Sequence, residues 1–280
     1  RIHARRAECR HKCIRVVPRN HVTTRARPGG GHDAFAEGHG TVDDATLDQL
    51  RSVGTAAAWS AVTKAGIRHP VMSGVAPLSG LDTMPLVGRA RTLRYLPVRE
   101  DLLALMRAPG ASNPQRTLFE SVGPRDVVVI DAGGNTGAGG LGDILATRLK
   151  IRGIAGIVTD GCVRDAPFIK RMGLPVFTRA VHPGANTSVL LPYEYDAPIQ
   201  CGGVTIFPGD AILGDEDGVI VIPAALARRV ADEATEQENL EGFLRRVVEA
   251  GEPLSEAYPP SPRIRADYER WRAAREPRGT

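Results

Sequence analysis

The stretch Asp126-Val-Val-Val-Ile-Asp131, continued by Ala132-Gly133-Gly134-Asn135-Thr136-Gly137-Ala138-Gly139-Gly140-Leu141-Gly142-Asp143, decides the fold class. An unbroken apolar run rich in β-branched residues, without polar alternation, is what a strand covered on both faces requires. The glycine-rich loop behind it leads into a helix predicted from about Gly142 to Lys150. The unit then recurs. Ile154 to Val158 reads as a second buried strand, Asp160 to Asp165 as its exit loop, and Ala166 to Met172 as a helix ended by Gly173. Pro175 to Thr178 reads as a third strand. Strands alternating with single short helices imply an α/β domain with parallel βα units and right-handed crossovers.

Upstream of this core, Leu47, Leu50 and Val53 recur at helical spacing behind Asp43-Asp44, with Gly54 as a stop signal. A second helix is predicted over Ala56 to Lys64, a loop over His69 to Gly80 and a strand over Leu86 to Val98. Short helices are expected around Asp101 to Arg107 and Gln115 to Val122. Downstream, β structure is expected over Ala197 to Phe207 and Ala211 to Pro223, then a charged amphipathic helix over 224–249. A proline-rich stretch leads to a last helix, Ile264 to Ala274, whose polarity suggests that it forms no core of its own and lies across a neighbour. The chain thus divides into a leader (1–40), a globular domain (41–250) and a C-terminal helical tail (251–280).

The 280 residues carry a formal charge of +4, which would suit nucleic acid, but residues 1–40 hold +6 of it and the rest is slightly acidic at −2. No nucleic-acid partner is therefore expected for the domain. The leader holds five of the seven histidines and a Pro28-Gly29-Gly30-Gly31 breaker, and it lacks apolar periodicity. That combination predicts disorder. It is Arg-rich and acid-poor like a mitochondrial targeting peptide, but it lacks the amphipathic pattern. Cys9, Cys13, His3 and His11 match no common zinc spacing. No apolar run reaches the roughly 18 residues of a membrane span, so no membrane partner is expected. Isolated Cys162 and Cys201 suit buried thiols in a reducing cytoplasm.

Loops leaving the carboxyl ends of adjacent parallel strands share one crevice, where ligands collect. One loop here delivers Asp143 at a helix start, behind six glycines in ten residues; the other delivers Arg164-Asp165. Unpaired N–H groups at Ile144 and Leu145 suit an anion. Arg164 offers a planar charged fork, and Asp165 a hard oxygen for Mg²⁺. Each also has a plainer reading: Asp143 as a helix cap, and Arg164-Asp165 as an ion pair at a helix start. Gly137-Ala-Gly-Gly-Leu-Gly142 fits Gly-x-Gly-x-x-Gly, but five residues separate it from the strand, whereas dinucleotide binding needs a tight turn directly off the strand. Of the four lysines, Lys150 lies seven residues past Asp143, about 10 Å along a helix, and Lys170 is similarly displaced from Arg164. A metal therefore suits carbanion chemistry here better than a Schiff base. Asp215, Glu216 and Asp217 lack EF-hand spacing and read as a β-turn.

Asp143, twenty intervening residues, then Arg164-Asp165 resembles the signature of 4-hydroxy-4-methyl-2-oxoglutarate and 4-carboxy-4-hydroxy-2-oxoadipate aldolases, grouped with the regulator of ribonuclease activity A. Gly156 to Asp165, Gly173 to Phe177 and Pro208 to Pro223 resemble that family's core, and the likeness covers roughly residues 42 to 250. The resemblance implies a swivelling β/β/α fold of the phosphohistidine-domain type. It also implies a homotrimer or hexamer with active sites between subunits. Asp165 would hold Mg²⁺ or Mn²⁺, Arg164 would bind the 2-oxo oxygen and stabilise an enolate, and Asp143 would orient a water. The Gly142–Leu145 helix start, through the Ile144 and Leu145 amides, would take the pyruvoyl carboxylate. Glu236, Glu238 or Glu241 would reach a neighbour's metal. The implied activity is cleavage of 4-hydroxy-2-oxo acids to pyruvate and decarboxylation of oxaloacetate. The alternatives are a regulator that binds ribonuclease E or a helicase, and a hydratase or dehydratase of sugar-derived 2-oxo acids.

Overall fold

A computed structural model describes residues 40–79 and 85–275. The expectations for the leader, apart from Gly40, lie outside the described residues. Nine strands form one sheet in the order β1 (Ala76–Ser79), β6 (Val176–Val181), β5 (Gly156–Val163), β3 (Asp126–Asp131), β2 (Leu86–Pro97), β10 (Ala211–Asp215), β11 (Gly218–Ile222), with β4 (Gly139–Leu141) on β5 and β7 (Leu190–Tyr195) on β2. The β2, β3, β5 and β6 strands run parallel, as the repeated strand-helix pattern requires. The flanks are antiparallel. The chain entering β1 also pairs with β11, through Met72 N–H to Val219 O at 2.9 Å and Val221 N–H to Pro70 O at 2.9 Å. The sheet thereby curls into a nearly closed barrel.

Period-two alternation divides the apolar run of β3 between two cores. Val127 and Val129 join Val158, Phe177, Ile212 and the hairpin β8 (Ile199–Cys201)–β9 (Val204–Ile206) on one face. Val128 and Ile130 face the other way, among residues of α4 (Pro114–Ser121), α5 (Asp143–Ile151) and α6 (Ala166–Arg171). A third cluster seats α1 (Asp44–Leu50), α2 (Thr55–Lys64) and α7 (Ala227–Glu249) on β10 and β11. The remaining short helix, α3 (Glu100–Met106), has no buried residue.

Four sequence expectations change. The predicted loop at His69 to Gly80 contains β1, a four-residue strand paired only with β6, where Pro77 is tolerated and no long run announces it. The predicted exit loop at Asp160 to Asp165 is strand as far as Val163, because Cys162 and Val163 pair with β4 on one side and β6 on the other. Gly54 caps the start of α2 rather than stopping α1. Finally, the C-terminal helix α9 (Pro262–Ala273) does bury a core. Ile264 and Tyr268 pack on Phe243 and Leu244 of α7 in the same chain, after the short turn of α8 (Leu254–Ala257).

Candidate active site

The β4–α5 and β5–α6 connections meet at the carboxyl end of the parallel strands. They line a pocket of about 120 Å³ with Gly139 to Leu145 on one side and Arg164, Ala185 and Asn186 on the other. The predicted residues Gly142, Asp143, Ile144, Leu145 and Arg164 all border it. Asp165 stands beside them: its Oδ2 lies 3.3 Å from Arg164 Nε and accepts the Asp143 N–H at 3.3 Å. A larger cleft of about 510 Å³ lies between α7 and α8, lined by Glu241, Leu244, Arg245, Val248, Glu249 and Tyr258 among others, and none of the predicted loop residues borders it.

Local backbone explains the convergence. Asp165 adopts the left-handed region (φ 56°, ψ 33°), so the chain passes from β5 into α6 through only two residues, Arg164 and Asp165; aspartate tolerates this better than most side chains. Gly142 precedes α5, and a Cβ there would stand 2.7 Å from Asp165 Oδ2 and 2.8 Å from Arg164 Nε, so the two charged side chains would have to shift. At Gly139 a Cβ would meet Arg164 Cβ and N at 2.8 Å. Two glycines thus allow β4 to lie directly against the Arg164-Asp165 pair. Both charged side chains keep about two fifths of their exposure, so the pair opens to solvent.

Asp143 is the first residue of α5, and its Oδ1 accepts the Ile144 N–H at 2.7 Å. The Ile144 amide expected to meet a substrate carboxylate is therefore held by Asp143 in this state. The Leu145 N–H has no protein acceptor among the described residues. Lys150, at the far end of α5, donates to Met172 O. Of the three glutamates considered, none lines this pocket of its own chain. Glu236 binds Tyr268 Oη and Arg272, each at 3.0 Å, and Glu238 Oε1 accepts the Gly54 N–H at 3.0 Å. Glu241 accepts from Gln237 at 2.7 Å. The Asp215 carboxylate receives both the N–H and the hydroxyl of Thr55, at 2.8 and 2.7 Å, and so caps α2 in a β-turn, as the absence of EF-hand spacing predicts.

Sequence reasoning did not single out Tyr95, Gln115 or Asn186. Tyr95 Oη and Gln115 Nε2 both donate to Gly140 O at 3.0 Å, and Asn186 Nδ2 donates to Tyr95 Oη at 3.3 Å. Burial pushes the Tyr95 hydroxyl well above the usual tyrosine range, so it remains a donor. No motif marks these residues, which come from three separate segments. A second buried knot lies under the glycine loop. Asp160 accepts the Ala132 and Gly134 amides at 2.8 and 3.1 Å, Asp131 accepts Gly133 N–H at 2.9 Å, and Gln200 Nε2 bridges the two carboxylates. Burial first, and then the charge of Asp160, raises the Asp131 carboxyl above its ordinary range.

Asp165 and Asp143 are the carboxylates here that could hold a hard divalent cation, a kind of ion that takes one or two carboxylates and keeps several waters. Asp165 is about two fifths exposed, and among the described residues no group of three or more His, Cys, Asp or Glu is placed to hold a metal ion.

The fold and this Gly-Asp/Arg-Asp arrangement define an aldolase/RraA-type α/β protein. The RraA-like family model, described as Aldolase/RraA, matches residues 42–221, and the chain belongs to that family. It is 36% identical over 166 residues to a Halalkalibacterium halodurans protein named "Putative 4-hydroxy-4-methyl-2-oxoglutarate aldolase", covering 59% of this chain and 72% of that one. Streptomyces coelicolor RraAS2, described as an unusual member of the RNase ES inhibitor RraA protein family, superposes with a TM-score of 0.66 at 35% identity, covering 74% of this chain and 98% of that one. An uncharacterised Pseudomonas syringae protein shares the fold at a TM-score of 0.68 and 24% identity, covering 79% of this chain and 100% of that one.

Proposed function

We infer that the protein is a divalent-metal-dependent lyase that cleaves 4-hydroxy-2-oxo acids to pyruvate and decarboxylates oxaloacetate. The carrying observation is the meeting of Arg164, Asp143 and the free Leu145 amide in one pocket, with Asp165 alongside. The aldolase name of the Halalkalibacterium relative supports the same reading.

Both reactions leave an electron pair on the carbon next to a 2-oxo group, so both need positive groups at the developing enolate oxygen. The Arg164 guanidinium, planar and permanently charged, binds the 2-oxo oxygen and strengthens its hold as charge grows there. The Leu145 amide, at the positive end of α5, takes the adjoining carboxylate, and the Ile144 amide joins it when Asp143 turns away. Asp143, released from Ile144, holds the water through which a proton moves. Asp165 would hold Mg²⁺ or Mn²⁺, which would supply Lewis-acid charge at the developing enolate. The active assembly would be a homotrimer or hexamer, in which one of Glu236, Glu238 or Glu241 on a neighbour's α7 would help to hold the metal. Buried, unbridged Cys162 and Cys201 support a reducing, cytoplasmic setting. The test is pyruvate release by the full chain from oxaloacetate and a panel of 4-hydroxy-2-oxo acids, with Mg²⁺ and with excess chelator. Turnover that chelator abolishes and Mg²⁺ restores is expected; no pyruvate from any substrate overturns the reading.

The inhibitor family of the Streptomyces relative supports a second reading, in which this fold binds a ribonuclease. It predicts inhibition of RNA cleavage that survives loss of Arg164.

A further inference from the structure

The short strand β4 leads directly into the Gly142–Leu145 helix start. Gly139 N–H donates to Gly184 O at 2.9 Å, Leu141 O accepts Arg164 N–H at 2.9 Å, and Gly142 O accepts Ala146 N–H at 3.0 Å. The carbonyl of Gly140 faces the protein interior. There it accepts from two buried side chains at once, Tyr95 Oη and Gln115 Nε2, both at 3.0 Å. These donors are 3% and 5% exposed and come from β2 and α4, neither of which lines the pocket. Tyr95 Oη in turn accepts from Asn186 Nδ2 at 3.3 Å, and Asn186 forms the opposite wall of the pocket.

A backbone carbonyl held by two buried donors is costly to leave unpaired, so losing either donor would weaken a buried network in which Tyr95 also bonds Asn186. Rigidity matters at this position. Leu141 O holds the backbone of Arg164 while Gly142 O holds the first turn of α5, so a shift of β4 would disturb the placement of the arginine relative to the α5 amides. At Gly139 the close approach to the Arg164 backbone leaves little room to absorb such a shift.

We propose that Tyr95, Gln115 and Asn186 are positioning residues that hold the Gly140 carbonyl, and through it set the spacing between Arg164 and the Leu145 amide. This rests on the lyase reading given above. None of the three needs to touch the reacting atoms. Tyr95 and Gln115 lock one side of the strand, while Asn186 ties the far wall of the pocket to the same hydroxyl, so the pocket's width and the register of its charged groups are set together.

The test compares the full chain with Tyr95→Phe and Gln115→Met, which keep most of the packing volume but remove one donor each. Three quantities are read: kcat and KM for oxaloacetate, the inhibition constant of oxalate as a planar mimic of the enolate, and hydrogen exchange of the amides from Gly139 to Ala146. Each variant is expected to lose about tenfold in kcat/KM, with oxalate inhibition weakened in parallel and faster exchange confined to 139–146. A role in packing alone would lower the melting temperature but leave the oxalate constant of the surviving active molecules unchanged. Folded variants with parent-like oxalate inhibition and unchanged exchange over 139–146 overturn the proposal. If the parent itself makes no pyruvate, the lyase reading fails instead, and local exchange alone then decides whether these side chains hold β4.

Discussion

The pocket around Gly142 and the C-terminal hairpin of α7 and α9 are built on opposite principles. At the pocket, glycines bring backbone close to backbone, the charged pair stays about two fifths exposed, and order comes from hydrogen bonds drawn in from distant segments. At the hairpin, order comes from apolar burial. Phe243, Tyr268 and Trp271 stand with ring centroids 5.6 to 5.9 Å apart, Ile264 is fully buried beneath them, and Arg246 and Arg275 lie 4.3 and 4.6 Å from the Trp271 ring. The family match ends at Ile222's neighbour Val221, before the hairpin begins. The contrast teaches where substitutions should report on chemistry and where on stability.

The sharpest test of that division is Arg164→Ala. A preorganised donor aimed at developing charge typically contributes about 100- to 1,000-fold in rate, or roughly 3 to 4 kcal/mol. The loss should fall mainly on kcat with the melting temperature nearly unchanged, as the side chain is part-exposed. Arg164→Lys keeps charge without the fork and should recover only part of the rate. Near-parent kcat in a folded Arg164→Ala protein would reduce the arginine to an ion-pair partner of Asp165.

The reverse pattern is expected at the hairpin. Ile264→Ala empties a fully buried site and should cost about 2 to 4 kcal/mol of local stability. Calorimetry and proteolysis within 251–275 would register it, while kcat stays within about twofold; a large fall in kcat would show that the hairpin feeds the site.

Gly142→Ala probes the pocket's lack of slack with the smallest possible side chain. Its Cβ would press on Asp165 and Arg164 at under 3 Å, so activity should drop by about tenfold or more. Its φ of −122° suits alanine, so stability should hardly change. Thermal unfolding beside steady-state kinetics separates the two effects.

The smallest effect is a change of slope. The Asp131 carboxyl is raised in the folded chain by burial and by Asp160, so the native state binds its proton more tightly than the unfolded state does. Stability from this group is present at low pH and declines as pH rises from the ordinary carboxylate range through the raised value. Asp131→Asn keeps an oxygen for Gly133 N–H and Gln200 and should flatten that decline. Melting curves between pH 3.5 and 7 that are equally steep in both proteins would refute the assignment.

The ease of reading the sequence followed the same division. Asp143, Arg164 and Asp165 were legible because helix starts after buried parallel strands have few ways to be arranged, and the strand runs at 126–131 and 154–158 announce themselves. Strand β1 and the reach of β5 to Val163 were not legible, because pairing partners far along the chain, and no local pattern, make those residues strands. The tail helix misled by its polar composition. Its apolar contact rests on Ile264, Tyr268 and Trp271, and their value depends on Phe243 and Leu244 lying opposite.

By itself the sequence determined the parallel βα core and the residue types at its mouth, because hydrophobic periodicity and glycine placement act over a few residues at a time. Tertiary structure alone decided that Glu236 and Glu238 are engaged within their own chain. It also decided that Tyr95, Gln115 and Asn186 meet around one carbonyl. Hydrogen bonds between segments 25 to 184 residues apart leave no periodic trace in a sequence; they exist only once the sheet has set the distances.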